Sequence, residues 1–144
     1  MDYLEKVENL NKNLHSKIYQ FHIFSNIIKT MNLSVLMSVY YKEKPKYLQQ
    51  ALESIWDKQT LKPDEIILVE DGKLTPELYQ TIEKWEKKLN GKLKRIPLRE
   101  NQGLAKALNT GIKHCSGEYI ARMDSDDICD PARFEKQIYF FKRG

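Results

Sequence analysis

Only two cysteines, five prolines and six glycines are spread over 144 residues, and no apolar run approaches the roughly 20 residues of a membrane-crossing helix. Cys115 and Cys129 cannot build a disulfide framework and sit in no paired metal-ligand spacing, so reduced thiols in a cytoplasmic protein are expected. The opening residues lack a basic-then-apolar segment, and no secretion signal is expected. A strong charge of one sign is also missing: 24 Lys and Arg against 20 Asp and Glu leave a net +4. With those lysines scattered, nucleic acid is not an expected partner. Histidine is scarce, and His15, His22 and His114 form no ligand cluster with any acid. No internal repeat or low-complexity stretch occurs. What is present, 41% apolar and 31% charged residues, describes a soluble globular domain with its own core.

The chain changes texture at Leu33. Residues 1–32 hold no Gly or Pro and place Leu4, Val7, Leu14, Ile18 and Phe21 at helical spacing, ending near Thr30–Asn32. Two readings of this extension stay open. It packs on the domain or pairs with another copy, giving a homo-oligomer, or it docks a partner or a membrane surface. Its polar face mixes acids with lysines, so no basic membrane-binding face is evident. Residues 33–144 then alternate. Apolar runs at 33–40, 64–72, 92–98 and 118–124 predict four strands. Helical stripes at 45–59, 75–89, 101–117 and 130–143 predict four helices. Thr75-Pro76 and Asp130-Pro131 read as cap and first-turn pairs, and Asn101 as a further N-cap. Ser116-Gly117 reads as the stop of the third of these helices. Pro97 argues that the third strand is an edge or ends there. Alternation with short connections predicts an α/β fold, a doubly wound, mostly parallel sheet with an extra N-terminal helix.

Ligands of such sheets sit beyond the carboxyl ends of the strands, and three of those ends are polar. The first supplies Ser38 and the rings of Tyr40 and Tyr41. The second supplies Asp71, a carboxylate able to accept from a base N–H or ribose hydroxyls. The fourth supplies Asp124-Ser125-Asp126-Asp127. In extended chain Asp124 and Asp126 point to one side, an oxygen pair suited to a hard divalent cation that also binds substrate phosphates. Bland alternatives exist for each: Asp-rich turns precede helices, Asp71-Gly72 makes a turn, the tyrosines cover a sheet edge, and Lys106 is a solvated helix residue. Lys106 also stands one turn into a helix that starts at the same end, within reach of a phosphate.

The stretches "SVLMSVYYKEKPKYLQQALESIWDKQTLKPDEIILVEDG" and "ENQGLAKALNTGIKHCSGEYIARMDSDDICDPARFEKQ" resemble the donor-binding half of the family 2 glycosyltransferases, which have the Rossmann-like GT-A fold. The resemblance runs from about Leu33 to the last residues and does not cover 1–32. It implies binding of a nucleotide diphosphate sugar, most often a UDP-sugar, with Mg²⁺ or Mn²⁺. It places Ser38 and Tyr40 beside the base, Asp71 on the uracil, Asp124 on the ribose or a metal-bound water, and Asp126 on the metal. Lys106 becomes a phosphate contact. The implied reaction transfers the sugar, with inversion, to an acceptor hydroxyl on a glycan, a lipid carrier or a protein. The family's catalytic base and acceptor elements lie further along, so the base is expected beyond Gly144 and the chain reads as a truncated donor-binding half. Work at the inner face of a membrane, in surface-polysaccharide assembly, would suit the family.

Two other classes compete. A nucleotidyltransferase would show a Gly-rich basic loop after the first strand, where "VYYKEKPKY" has no Gly. A non-catalytic receiver-type module would need acids at Tyr40-Tyr41. The ligand recognised separates the three: UDP-sugar, nucleoside triphosphate or acyl phosphate.

Overall fold

The computed structural model describes residues 12–22 and 32–143. The chain divides into two compact units, residues 1–31 and 32–144. In the first, residues 12–22 form helix α1, on which Leu14, Ile18 and Phe21 of the expected stripe are exposed. Leu4, Val7 and Thr30 lie outside the described residues, and Asn32 is already outside any helix.

The second unit is four strands, β1 (Leu33–Val39), β2 (Glu65–Glu70), β3 (Leu93–Pro97) and β4 (Tyr119–Arg122). They alternate with α2 (Pro45–Ile55), α3 (Pro76–Leu89), α4 (Leu104–Ile112) and α5 (Arg133–Arg143). The strands lie in the order β3-β2-β1-β4, every pairing parallel. The order reverses at β1, which is flanked by the strand that follows it and by the last one. Every residue of β2 is buried, as is β1 apart from Ser38, the uninterrupted apolar character that a two-sided parallel sheet demands. Leu36, Ile67 and Val69 pack with Ala107 on the α4 side. By alternation, Val35, Met37, Ile66 and Leu68 face the other way, toward α2 and α3. Those two helices are tied by Trp85 Nε1, which donates to Gln49 Oε1 at 2.8 Å. Among the described residues no helix is long and apolar enough to cross a membrane.

Four boundaries that bear on the site differ from expectation. Helix α4 starts at Leu104, so Asn101 is not its N-cap; Gly103 is, at φ 90°. It stops at Ile112, because Ser116 and Gly117 are engaged elsewhere. Strand β4 ends at Arg122, so Asp124 lies in a turn closed by Asp127 N–H on Asp124 O at 3.3 Å. The extended-chain argument for Asp124 and Asp126 therefore does not apply. Asp130 accepts from Ala132 N–H at 2.9 Å, and α5 begins three residues later, at Arg133.

Strand β2 carries a buried carboxylate at each end. Glu70 pairs with Arg95, which also reaches Glu86; the Glu70 hydrogen bond holds that guanidinium more firmly charged than usual. Glu65 Oε1 accepts from Ser34 Oγ (2.6 Å), Ser116 N–H (2.7 Å) and Ser116 Oγ (2.9 Å), and Lys94 donates to Oε2 at 2.6 Å. Burial alone would raise this carboxyl. The bond from Lys94 and those from Ser116 and Ser34 outweigh it and hold the group at about 2, against an ordinary 4.5. A depressed carboxyl stabilises the fold above its unfolded value and loses that contribution as pH falls through the folded one. Glu65→Gln is therefore expected to cost about 1–2 kcal/mol at pH 7, discounted because Lys94 is half exposed to screening solvent. In urea denaturation followed across pH, the gap from wild type should narrow below pH 4.5.

Candidate functional site

Beyond the carboxyl ends of β1, β2 and β4 lies a cavity of about 370 Å³. Ser38, Tyr40, Asp71, Asp124 and Asp126 all line it, so five of the six residues singled out from sequence meet in one place. Lys106 is the sixth. It is exposed at the third position of α4 and is not among the lining residues.

Each wall follows from local chemistry. After β1 the chain turns where Glu43 N–H donates to Tyr40 O at 3.0 Å. This leaves Tyr40 and Tyr41 edge to face, ring centroids 5.8 Å apart, with Tyr40 partly exposed beside the cavity. After β2, Asp71 N–H extends the ladder to Val39 O at 2.8 Å, and the Asp71 side chain turns across toward α4. Its Oδ1 accepts from Gln102 N–H at 2.7 Å and its Oδ2 from Gly103 N–H at 3.0 Å. A residue 31 positions away thus satisfies amides at the start of α4, the task that a local N-cap would perform. Gly72 makes the approach possible. Its φ is 84°, and a Cβ there would fall 2.6 Å from Asn101 N, a contact that no side chain could occupy.

The acidic turn after β4 is held from two sides. Arg133 Nη2 donates to Arg122 O at 3.0 Å, and Met123 N–H to Leu36 O at 2.9 Å. Arg122 Nη2 pairs with Asp124 Oδ1 at 3.1 Å, one positive charge against three aspartates. This is an exposed pair, of the kind worth at most about 1 kcal/mol. Among the described residues, the Asp126 and Asp127 carboxylates have no hydrogen-bond or ion-pair partner. Ser125 is buried, and its Oγ donates to Glu43 Oε2 at 2.9 Å. Cys115 and Cys129 are free, and burial pushes both thiols up, away from the reactive thiolate.

Asp124 and Asp126 offer oxygen donors of the type a hard divalent cation takes. Asp124 keeps Oδ2 clear of its pair with Arg122. No group of three His, Cys, Asp or Glu among the described residues could hold a metal, so the protein would supply two carboxylates and leave the other positions to phosphate and water. The donor chemistry fits Mg²⁺ or Mn²⁺.

Sequence reasoning missed Glu43, Asn101, Gly103, Leu104 and Ser125 in the lining. For Glu43 the signal was its place just beyond a strand end, obscured by flanking lysines. For Ser125 it was the position between two aspartates. Asn101 was read as a cap, which hid its exposure to the cavity.

The family whose sequence model matches residues 34–144 is described as glycosyl transferase family 2. The chain belongs to this family. It is 50% identical over 109 residues to the amylovoran biosynthesis glycosyltransferase AmsE of Erwinia amylovora, covering 76% of this chain and 40% of AmsE. It is 45% identical over 115 residues to the UDP-Gal:alpha-D-GlcNAc-diphosphoundecaprenol beta-1,3-galactosyltransferase of Escherichia coli, covering 80% of this chain and 41% of that enzyme. Among solved structures, S. aureus TarS in complex with UDP-GlcNAc superposes with a TM-score of 0.66 at 32% identity, over 78% of this chain and 32% of TarS. The chain thus spans about two fifths of the length of these curated relatives, and its sheet is the Rossmann-like GT-A sheet of such structural neighbours.

Asp71 is the residue whose loss tests this construction. Asp71→Ala leaves Gln102 and Gly103 N–H without their acceptor and is expected to cost about 1–3 kcal/mol in urea denaturation. Hydrogen exchange at those two amides should accelerate, while exchange at the Glu65 end of the sheet should not change.

Proposed function

We propose that residues 33–144 are the donor-binding part of a glycosyltransferase that takes a UDP-sugar together with Mg²⁺ or Mn²⁺ and delivers the sugar, with inversion, to an acceptor hydroxyl. The observation that carries this reading is the convergence of Tyr40, Asp71, Asp124 and Asp126 on one cavity at the point where the strand order reverses. Two relatives support the uridine part: the E. coli enzyme is named for UDP-Gal, and TarS was solved with UDP-GlcNAc.

The roles follow from position. Tyr40 presents its ring to a base, and Ser38 lines the same cavity. Asp71 uses one lone pair on each oxygen for the α4 amides; a carboxylate offers about four acceptor sites, so it can accept from the uracil N–H as well. Asp126, without a partner among the described residues, would be the direct ligand for the cation, and Asp124 would face the ribose or the cation's water. A cation held by these carboxylates would supply charge neutralisation for the leaving diphosphate. The chain's own part is to hold base, ribose and diphosphate in one orientation. We assign no catalytic base within residues 33–144, and Lys106 stays outside the set because it does not line the cavity.

A calorimetric titration of UDP into the chain, with Mn²⁺ and with a chelator, tests the reading. Binding should require Mn²⁺. Asp126→Ala should weaken it by about tenfold or more, a loss of about 1.4 kcal/mol or above, with an unchanged unfolding midpoint because the residue is exposed in a turn. Equal binding in the variant would make the aspartates turn residues only. Preference for nucleoside triphosphates over UDP would point to nucleotidyl transfer.

A further inference from the structure

The loop after β1 and the turn after β4 are joined by a side-chain bond between two residues 82 positions apart that both line the cavity, Ser125 Oγ to Glu43 Oε2 at 2.9 Å. Both ends of that bond are constrained. Glu43 is half-buried, and its other oxygen accepts from Lys44 N–H at 2.8 Å, which fixes the carboxylate at the start of α2. Its own N–H closes the turn on Tyr40 O. Ser125 is 6% exposed and sits between the two aspartates that line the cavity. Its hydroxyl is taken up by Glu43, while the carboxylates of Asp124 and Asp126 on either side make no bond to Glu43.

From this geometry we infer that Glu43 is a positioning residue: through Ser125 it sets the acidic turn so that Asp124 and Asp126 face the cation, and it couples that turn to Tyr40 at the nucleoside end. The inference rests on the donor-site reading for its functional half. Without Glu43, the buried Ser125 hydroxyl loses its partner, and a buried polar group left unpaired is costly enough to make the turn rearrange. Glu43 acts through Ser125 and not as a cation ligand, which separates two outcomes that a single variant would confuse.

Glu43→Ala, Glu43→Gln, Ser125→Ala and the double Ala variant are compared with wild type in the full chain. Two readouts are taken, UDP affinity in Mn²⁺ against chelator and hydrogen–deuterium exchange of the segment 123–128. Each Ala variant should weaken Mn²⁺-dependent UDP binding by about tenfold, the loss expected for one partner of a buried polar pair. The double variant should be no weaker than either single one, the mark of residues acting as a pair. Exchange at 123–128 should accelerate in both single Ala variants, and Glu43→Gln, which keeps an acceptor oxygen, should restore most of the wild-type behaviour in both readouts. Exchange at 123–128 unchanged in Glu43→Ala overturns the inference, as does full binding in Ser125→Ala beside lost binding in Glu43→Ala. A wild-type chain that binds no UDP overturns the donor-site reading and the functional half of the inference with it. The exchange readout then still decides whether Glu43 holds the turn.

Discussion

Both oxygens of Asp71 accept a backbone N–H from the segment that opens α4, and the geometry of the site depends on that clasp. It joins the end of the most buried strand to the start of a helix 31 residues later. It puts Asn101 and Leu104 on the cavity wall and gives Gly103 its place as the cap. Under the proposed function the same side chain meets the ligand, and its carboxylate is already oriented and buried before anything binds. A group that is 3% exposed and held by two hydrogen bonds loses little freedom on meeting a base N–H, the advantage that preorganisation brings.

Stability and site are separated along β2. At its amino end Glu65 gathers Ser34, Ser116 and Lys94, tying β1, β2, β3 and the segment before β4 together at the opposite end from the cavity. At its carboxyl end Glu70 is compensated by Arg95 from β3, and only the next residue, Asp71, faces the cavity. Burying two carboxylates in one six-residue strand would be prohibitive unpaired, and each has its partners. With the far edge firm, the loops at the near edge can be shaped for binding and remain attached to a rigid frame.

The elements were legible because their signals are local. Apolar runs gave the four strands, Pro45 and Pro76 stand at the first positions of α2 and α3, Thr75 accepts from Leu78 N–H as a cap at 3.3 Å, and Pro97 ends the edge strand β3. Five of six candidate site residues share a cavity because strand ends in a parallel sheet all open to one side. What was illegible is what connects distant positions. Asn101 had the right chemistry for a cap, but a cap from Asp71 displaced it. Ser116 and Gly117 looked like a helix stop; instead Ser116 donates to Glu65 and Gly117 to Ser34. Glu43 and Ser125 carry no periodicity that could announce their bond. Lys106 was placed by its position one turn into α4 and by the family resemblance, and neither says which way a long side chain leans; it does not line the cavity.

The charge balance of the cavity gives the last step. Four carboxylates line it, Glu43, Asp71, Asp124 and Asp126. Glu43 is met by Lys44 N–H and the Ser125 hydroxyl, Asp71 by two backbone amides, and Asp124 by the Arg122 guanidinium. Asp126 is met by nothing among the described residues, with Asp127 equally unpaired beside it. The negative potential therefore rises toward one corner of the site, and a diphosphate approaching that corner alone would be repelled. A divalent cation bound there would reverse the sign and neutralise the unpaired carboxylate together with the phosphates. Under the proposed function, the unpaired state of Asp126 is the feature that would make a cation an electrostatic condition for holding a nucleotide diphosphate.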